Sequence, residues 1–118
     1  MGKYQISVKS DELFNICVEG TKKNNNYNYL ENDTKVNIKF YKKKIIITRS
    51  NSEYVLTLNL ELKKETISTY AFIGGNKTFN LKTVTKELLI SDNMILVKYN
   101  LEGNDFEFKF EVVEWKNC

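Results

Sequence analysis

The chain has 118 residues, 42% hydrophobic and 13% aromatic, with 18 basic against 15 acidic residues, a net charge of +3 and no histidine. A chain of this length buries roughly two thirds of its unfolded surface in one core, so a single domain over residues 1–118 is expected, and intrinsic disorder and spans of ~20 apolar residues are excluded. Without histidine, the usual general base near neutral pH, the commonest metal ligand and the Ser/His and Cys/His nucleophile pairs are all missing.

The elements in chain order are strands, because apolar and polar residues alternate with a period of two. Lys3 to Lys9 sets Tyr4, Ile6 and Val8 on one face and Gln5 and Ser7 on the other, and Ser10-Asp11-Glu12 turns the chain. Leu13 to Glu19 aligns Phe14, Ile16 and Val18. Residues 20–26, with Gly20 and three consecutive asparagines, read as a polar, mobile loop. A short strand at Tyr27 to Glu31 and the turn at Asn32-Asp33 precede Val36, Ile38 and Phe40, and Lys42-Lys43-Lys44 is the next turn.

Ile45, Ile46 and Ile47 break the alternation, as in a strand covered on both faces. Arg49, the chain's only arginine, is in phase with Ile45 and Ile47. Tyr54, Leu56, Leu58, Leu60 and Leu62 follow at every second position; a helix would put Leu56 and Leu60 opposite the rest, so the strand reading wins, with a helical turn allowed at Lys63-Lys64-Glu65.

Thr66 to Ile73 is β-branched and aromatic, and Gly74-Gly75-Asn76 signals a hairpin whose turn takes positive φ. Phe79, Leu81, Thr83 and Thr85 share a face before Leu88-Leu89-Ile90. After Ser91-Asp92-Asn93, Ile95, Val97, Tyr99 and Leu101 alternate, and Glu102 to Asp105 connects to Phe106, Phe108, Phe110 and Val112. No connection is long enough for a parallel crossover. The fold class expected is all-β: an antiparallel meander of about eight to ten strands that removes its exposed edges by closing into a barrel, with a sandwich as the alternative. The absence of proline agrees with uninterrupted ladders.

The amino terminus enters a strand without the apolar stretch of a signal peptide, which predicts a cytoplasmic protein with no membrane association. Ile6 stands where myristoylation at Gly2 wants Ser or Thr, and Cys118 is too close to the end for prenylation. Cys17 and Cys118 lack any ligand spacing and read as free thiols; the sequons at Asn32 and Asn76 carry no meaning in a reducing compartment. The basic runs Lys22-Lys23, Lys42-Lys43-Lys44 and Lys63-Lys64 sit at expected turns, where lysine is the ordinary solvating residue. A nucleic-acid partner is therefore not expected unless the fold gathers these turns and the tyrosines on one face.

The order Tyr29-Leu30-Glu31 before a strand, Ile47-Thr48-Arg49 closing another, Tyr70 ahead of Gly74-Gly75, then Leu81-Lys82-Thr83-Val84-Thr85 and Val97-Lys98-Tyr99-Asn100-Leu101 resembles the YwiB-like family. These are small bacterial proteins of unknown function placed among the calycin or lipocalin-like barrels. The match runs from about Tyr29 to Trp115, and it implies a closed or nearly closed meander barrel without implying an activity.

No catalytic or metal-ligating constellation is expected and no cofactor is implied. Of the carboxylates Glu31, Asp33, Glu87 and Asp92 most lie beside turns as solubilising groups, and no stretch has the alternating oxygens of a calcium loop. The polar residues that share a face with apolar ones are the candidates: Arg49, Thr83, Thr85 and Tyr99, with Glu31 as a partner and Tyr70 nearby. A buried charge must be paired, so this set is either a structural network pinning Arg49 to Glu31 or a ligand site in which apolar walls hold the body of a small amphipathic or anionic molecule and Arg49 fixes its anionic end. The alternatives are a homodimer or protein contact through the Ile45–Ile47 strand and a single-stranded nucleic-acid surface on the lysine turns.

Overall fold

The computed structural model describes residues 3–10, 14–23, 25–31, 33–75, 77–91 and 94–113, with β1 and most of β2 described as backbone only. The strands are β1 (Lys3–Ser10), β2 (Phe14–Lys23), β3 (Asn26–Glu31), β4 (Thr34–Phe40), β5 (Lys44–Ser50), β6 (Tyr54–Glu61), β7 (Glu65–Phe72), β8 (Lys77–Ile90), β9 (Met94–Leu101) and β10 (Asn104–Val113). Each pairs antiparallel with its neighbours in sequence, and β1 pairs with β10 as well as β2, so the ladder runs around all ten strands as a barrel. The expected meander is present. The faces expected for Tyr4, Ile6, Val8, Phe14, Ile16 and Val18, the lysines at 22 and 23 and both thiols lie outside the described side chains.

Residues opposite each other across a ladder share a face, and one such row crosses seven strands: Gly20, Tyr29, Val36, Arg49, Leu56, Tyr70 and Phe79. It points inward. The core forms where the β3–β6 wall meets β9 and β10: Ile38, Ile45, Leu60, Val97 and Phe110 are fully buried. Phe110 reaches across to Tyr27 and Tyr29, with ring centroids 4.8 and 6.1 Å apart, and burying such a side chain contributes roughly 2–3 kcal/mol.

Three local features depart from the sequence expectation. The stretch 20–26, expected to be a loop, is mostly strand: β2 extends to Lys23 and β3 begins at Asn26, because Gly20 to Lys23 have β3 to pair with. The hairpin after β7 forms, but Gly74 and Gly75 do not take the positive φ expected there. That conformation occurs instead at Glu102 and Gly103 (φ 49° and 90°), a two-residue turn between β9 and β10, and at Lys63 (φ 60°) after β6. Finally, a bulge between Thr85 and Glu87 moves the inward face of β8 from Thr83 and Thr85 to Leu88 and Ile90.

Ile46, expected to be covered outside as well as inside, is half-buried with Lys39 and Asn59 as its cross-strand neighbours. The exposed apolar side chains lie elsewhere, Phe72, Ile73 and Phe79 among them on the β7–β8 hairpin. Among the described residues no helix is long and apolar enough to cross a membrane, and no group of three or more His, Cys, Asp or Glu is gathered to hold a metal.

Candidate functional site

An up-and-down meander sorts its connections to two ends. Those after β3, β5, β7 and β9 lie at the end where Glu31, Arg49 and Tyr54 finish or begin their strands; those after β2, β4, β6 and β8 lie at the other. The two ends differ in how the inward face is covered. Toward the second end Ile38, Ile45, Leu60, Ile95 and Phe110 are buried, whereas at the first Arg49, Leu56, Tyr70, Leu81, Leu101 and Phe106 remain partly exposed.

At this open end Arg49 Nη2 lies 2.5 Å from Glu31 Oε2, with the two side chains 28% and 11% exposed. Burial works against the guanidinium charge, but the Glu31 carboxylate outweighs it, and the Tyr54 hydroxyl adds a further acceptor; the Arg49 pKa is held above its ordinary value. Tyr29 lies beside the pair. Burial pushes its phenol well above the usual range, with Arg49 drawing it back and Glu31 adding to the rise. Its hydroxyl is buried and has no hydrogen-bond partner among the described residues, which is uncommon for a buried polar atom.

The ladder explains why this corner is accessible. β2 and β3 share rungs only from Gly20↔Tyr29 to Lys23↔Asn26, so Leu30 and Glu31 have no partner on β2 while they continue to pair with β4. Beside this gap is a depression of about 500 Å³ lined by Gly20, Thr21, Asn28, Tyr29, Leu30, Lys35 and Val36. That volume is in the range of small-molecule sites. The lining combines apolar surface with Lys35, and Val36 stands opposite Arg49.

On the other side of Arg49 four rings follow one another over β6, β7 and β8. Tyr54 stacks on Tyr70 at 5.1 Å, Tyr70 meets Phe72 at 4.9 Å, and Phe72 meets Phe79 at 6.0 Å. Tyr70 therefore joins the Arg49 corner through Tyr54.

The remaining candidates are placed differently. Thr83 is fully buried in a relay in which Asn59 N–H donates to Ser68 Oγ at 3.0 Å, Ser68 to Thr83 Oγ1 at 2.8 Å and Thr83 to Leu81 O at 3.1 Å. Thr85 is buried with no partner for its hydroxyl among the described residues. Tyr99 stacks on Phe106 at 5.6 Å. Arg49, Glu31 and Tyr70 thus belong to one corner; Thr83 and Thr85 are held in the wall, and Tyr99 lies against β10. Sequence reading passed over Tyr29, Lys35 and Tyr54. Tyr29 and Tyr54 share the period-two phase of their strands and carried a signal, whereas Lys35 looked like any outward lysine.

No family model and no curated protein matches the chain. Among solved structures it is similar to the crystal structure of the ywiB protein from Bacillus subtilis, with a TM-score of 0.65 and 18% identity over 92% of this chain and 90% of that one. The likeness is one of fold.

Proposed function

We propose that the chain is a noncatalytic, cytoplasmic, lipocalin-like barrel of the YwiB-like family that binds a small amphipathic molecule with an anionic end at the gap between β2 and β3. The observation that carries this reading is the depression of about 500 Å³ that joins Tyr29 and Val36 to Lys35 and lies next to the Arg49–Glu31 pair. Apolar surface takes the body of the ligand, Lys35 and the Arg49 guanidinium take the charge, and the Tyr29 hydroxyl, which has no partner among the described residues, supplies one more hydrogen bond. The filled core beneath restricts the ligand to this corner.

An anilinonaphthalene sulfonate dye, with an apolar body and one sulfonate, is the probe. Saturable binding that weakens about tenfold in Lys35→Gln, which removes roughly one charge-assisted contact of ~1.5 kcal/mol, and by a smaller factor in Arg49→Lys, which keeps the charge but loses the guanidinium fork, supports the proposal. Binding unchanged in both variants, with melting temperature preserved, refutes it. Native mass spectrometry of protein from its own host then identifies what is carried.

A second reading, contact with another protein or a second copy, is favoured by exposed Phe72, Ile73 and Phe79 on the β7–β8 hairpin. Sedimentation that stays monomeric at high concentration counts against the second copy.

A further inference from the structure

We infer that the end of the barrel opposite Arg49 is a docking site for single-stranded nucleic acid, formed by Tyr41, Lys42, Lys43 and Lys63. The basic runs at residues 22–23, 42–44 and 63–64 recur about every two strands, and in a meander a two-strand repeat returns the chain to the same end. Hydrogen bonds tie the turns to one another. Leu62 N–H donates to Lys43 O at 3.0 Å, joining the turn after β6 to the turn after β4. Phe40 N–H donates to Asn25 O at 3.0 Å and Asn25 Nδ2 to Phe40 O at 3.0 Å, joining the turn after β2 to the same place.

Lys42, Lys43 and Lys63 are exposed, and none takes part in the ion pairs found among the described residues; Lys64 is held by Glu61 at 2.8 Å. Turn geometry does not account for a lysine at 63. Its φ of 60° is one that glycine adopts with less strain, and its N–H is engaged with Thr85 O at 3.0 Å, which leaves the side chain as the group this position presents. Tyr41, 48% exposed, adds an aromatic face beside the lysines. Lysines for phosphates and a ring for a base are the two components of sequence-tolerant single-strand binding. The opposite end mixes Asp33, Glu53 and Glu102 with Lys35 and Lys77, whereas Tyr41, Lys42 and Lys43 form an unbroken basic turn.

The test is fluorescence anisotropy of a labelled 20-mer of deoxythymidine with the full chain. Three phosphate contacts predict a slope of log affinity against log salt of about −2, a loss of roughly 20-fold between about 50 and 200 mM. The Lys42→Gln/Lys43→Gln pair alone removes most of that slope, and Tyr41→Ala weakens binding about tenfold at unchanged slope. Lys77→Gln, at the far end, changes nothing. Failure to bind the oligonucleotide overturns the inference; so does binding to vesicles containing phosphatidylserine but not to the oligonucleotide, or salt-sensitive self-association alone, which would make the opposite end of a second copy the occupant.

Discussion

Two buried hydroxyls, Ser68 on β7 and Thr85 on β8, should respond in opposite directions to removal. Ser68 Oγ, 2.8 Å from Thr83 Oγ1, stands where the β6–β7 ladder has stopped: backbone rungs end at Thr57↔Thr69, and beyond them Asn59 N–H donates to Ser68 Oγ while Thr66 Oγ1 donates to Asn59 O. Ser68→Ala leaves the Asn59 N–H without an acceptor and the Thr83 hydroxyl without its donor. An unsatisfied buried donor costs about 1–3 kcal/mol, so the variant should lose ~2 kcal/mol. Thr85 Oγ1 is buried without a partner among the described residues, and Thr85→Val removes a desolvated hydroxyl while keeping the branched shape. It should be neutral or stabilising by up to ~1 kcal/mol. Urea titration separates the two: with a slope of ~2 kcal/mol per molar, Ser68→Ala moves the midpoint down by about 1 M and Thr85→Val moves it little or upward. An unmoved midpoint in Ser68→Ala, or a fall beyond ~1 kcal/mol in Thr85→Val, would refute the assignment of relay and orphan.

Phe110→Ala should cost about 3–5 kcal/mol, because the fully buried ring lies between Tyr27 and Tyr29 and the two walls cannot collapse into the space; chemical denaturation measures it. The raised pKa of Tyr29 means its neutral form belongs to the folded state, so the associated stability is present below the ordinary value of 10.0 and is lost as pH rises beyond it. Tyr29→Phe should flatten the decline above pH 10, and an unchanged alkaline limb would show that Tyr29 does not cause it. Gly103→Ala meets open space, so its cost is the left-handed φ of 90° alone, about 1 kcal/mol, seen as a melting temperature lower by a few degrees.

Strand positions were legible because period two survives in almost every element, and the inward phase of Ile45, Ile47 and Arg49 follows directly from it. The Arg49–Glu31 pair was legible for the same reason: both residues continue an apolar phase that a charge can join only with a partner. Other features depend on neighbours distant in sequence. Nothing local distinguishes Gly20 to Lys23 from a loop until β3 is beside them, and the hydroxyl relay exists because β6 and β7 part while β8 stays close. The bulge left a trace in the change of phase from Thr83 and Thr85 to Leu88 and Ile90, which reads as a bulge only once β9 holds the register. Lysine runs at three turns raise the nucleic-acid reading only on condition that they share a face, and their common end follows from the strand order rather than from any local signal.

The barrel has two thin joints. β2–β3 and β6–β7 each hold only four rungs, against seven or eight on β5–β6 and β7–β8. Those joints divide the staves into one arc continuous in sequence, β3 to β6, and a second assembled from β7 to β10 with β1 and β2. Thermal breathing should part the arcs along these lines before either arc frays. Amides bordering the joints would then exchange with deuterium ahead of the rest, and a guest could slip in by a hinged opening while most of the ladder stays intact.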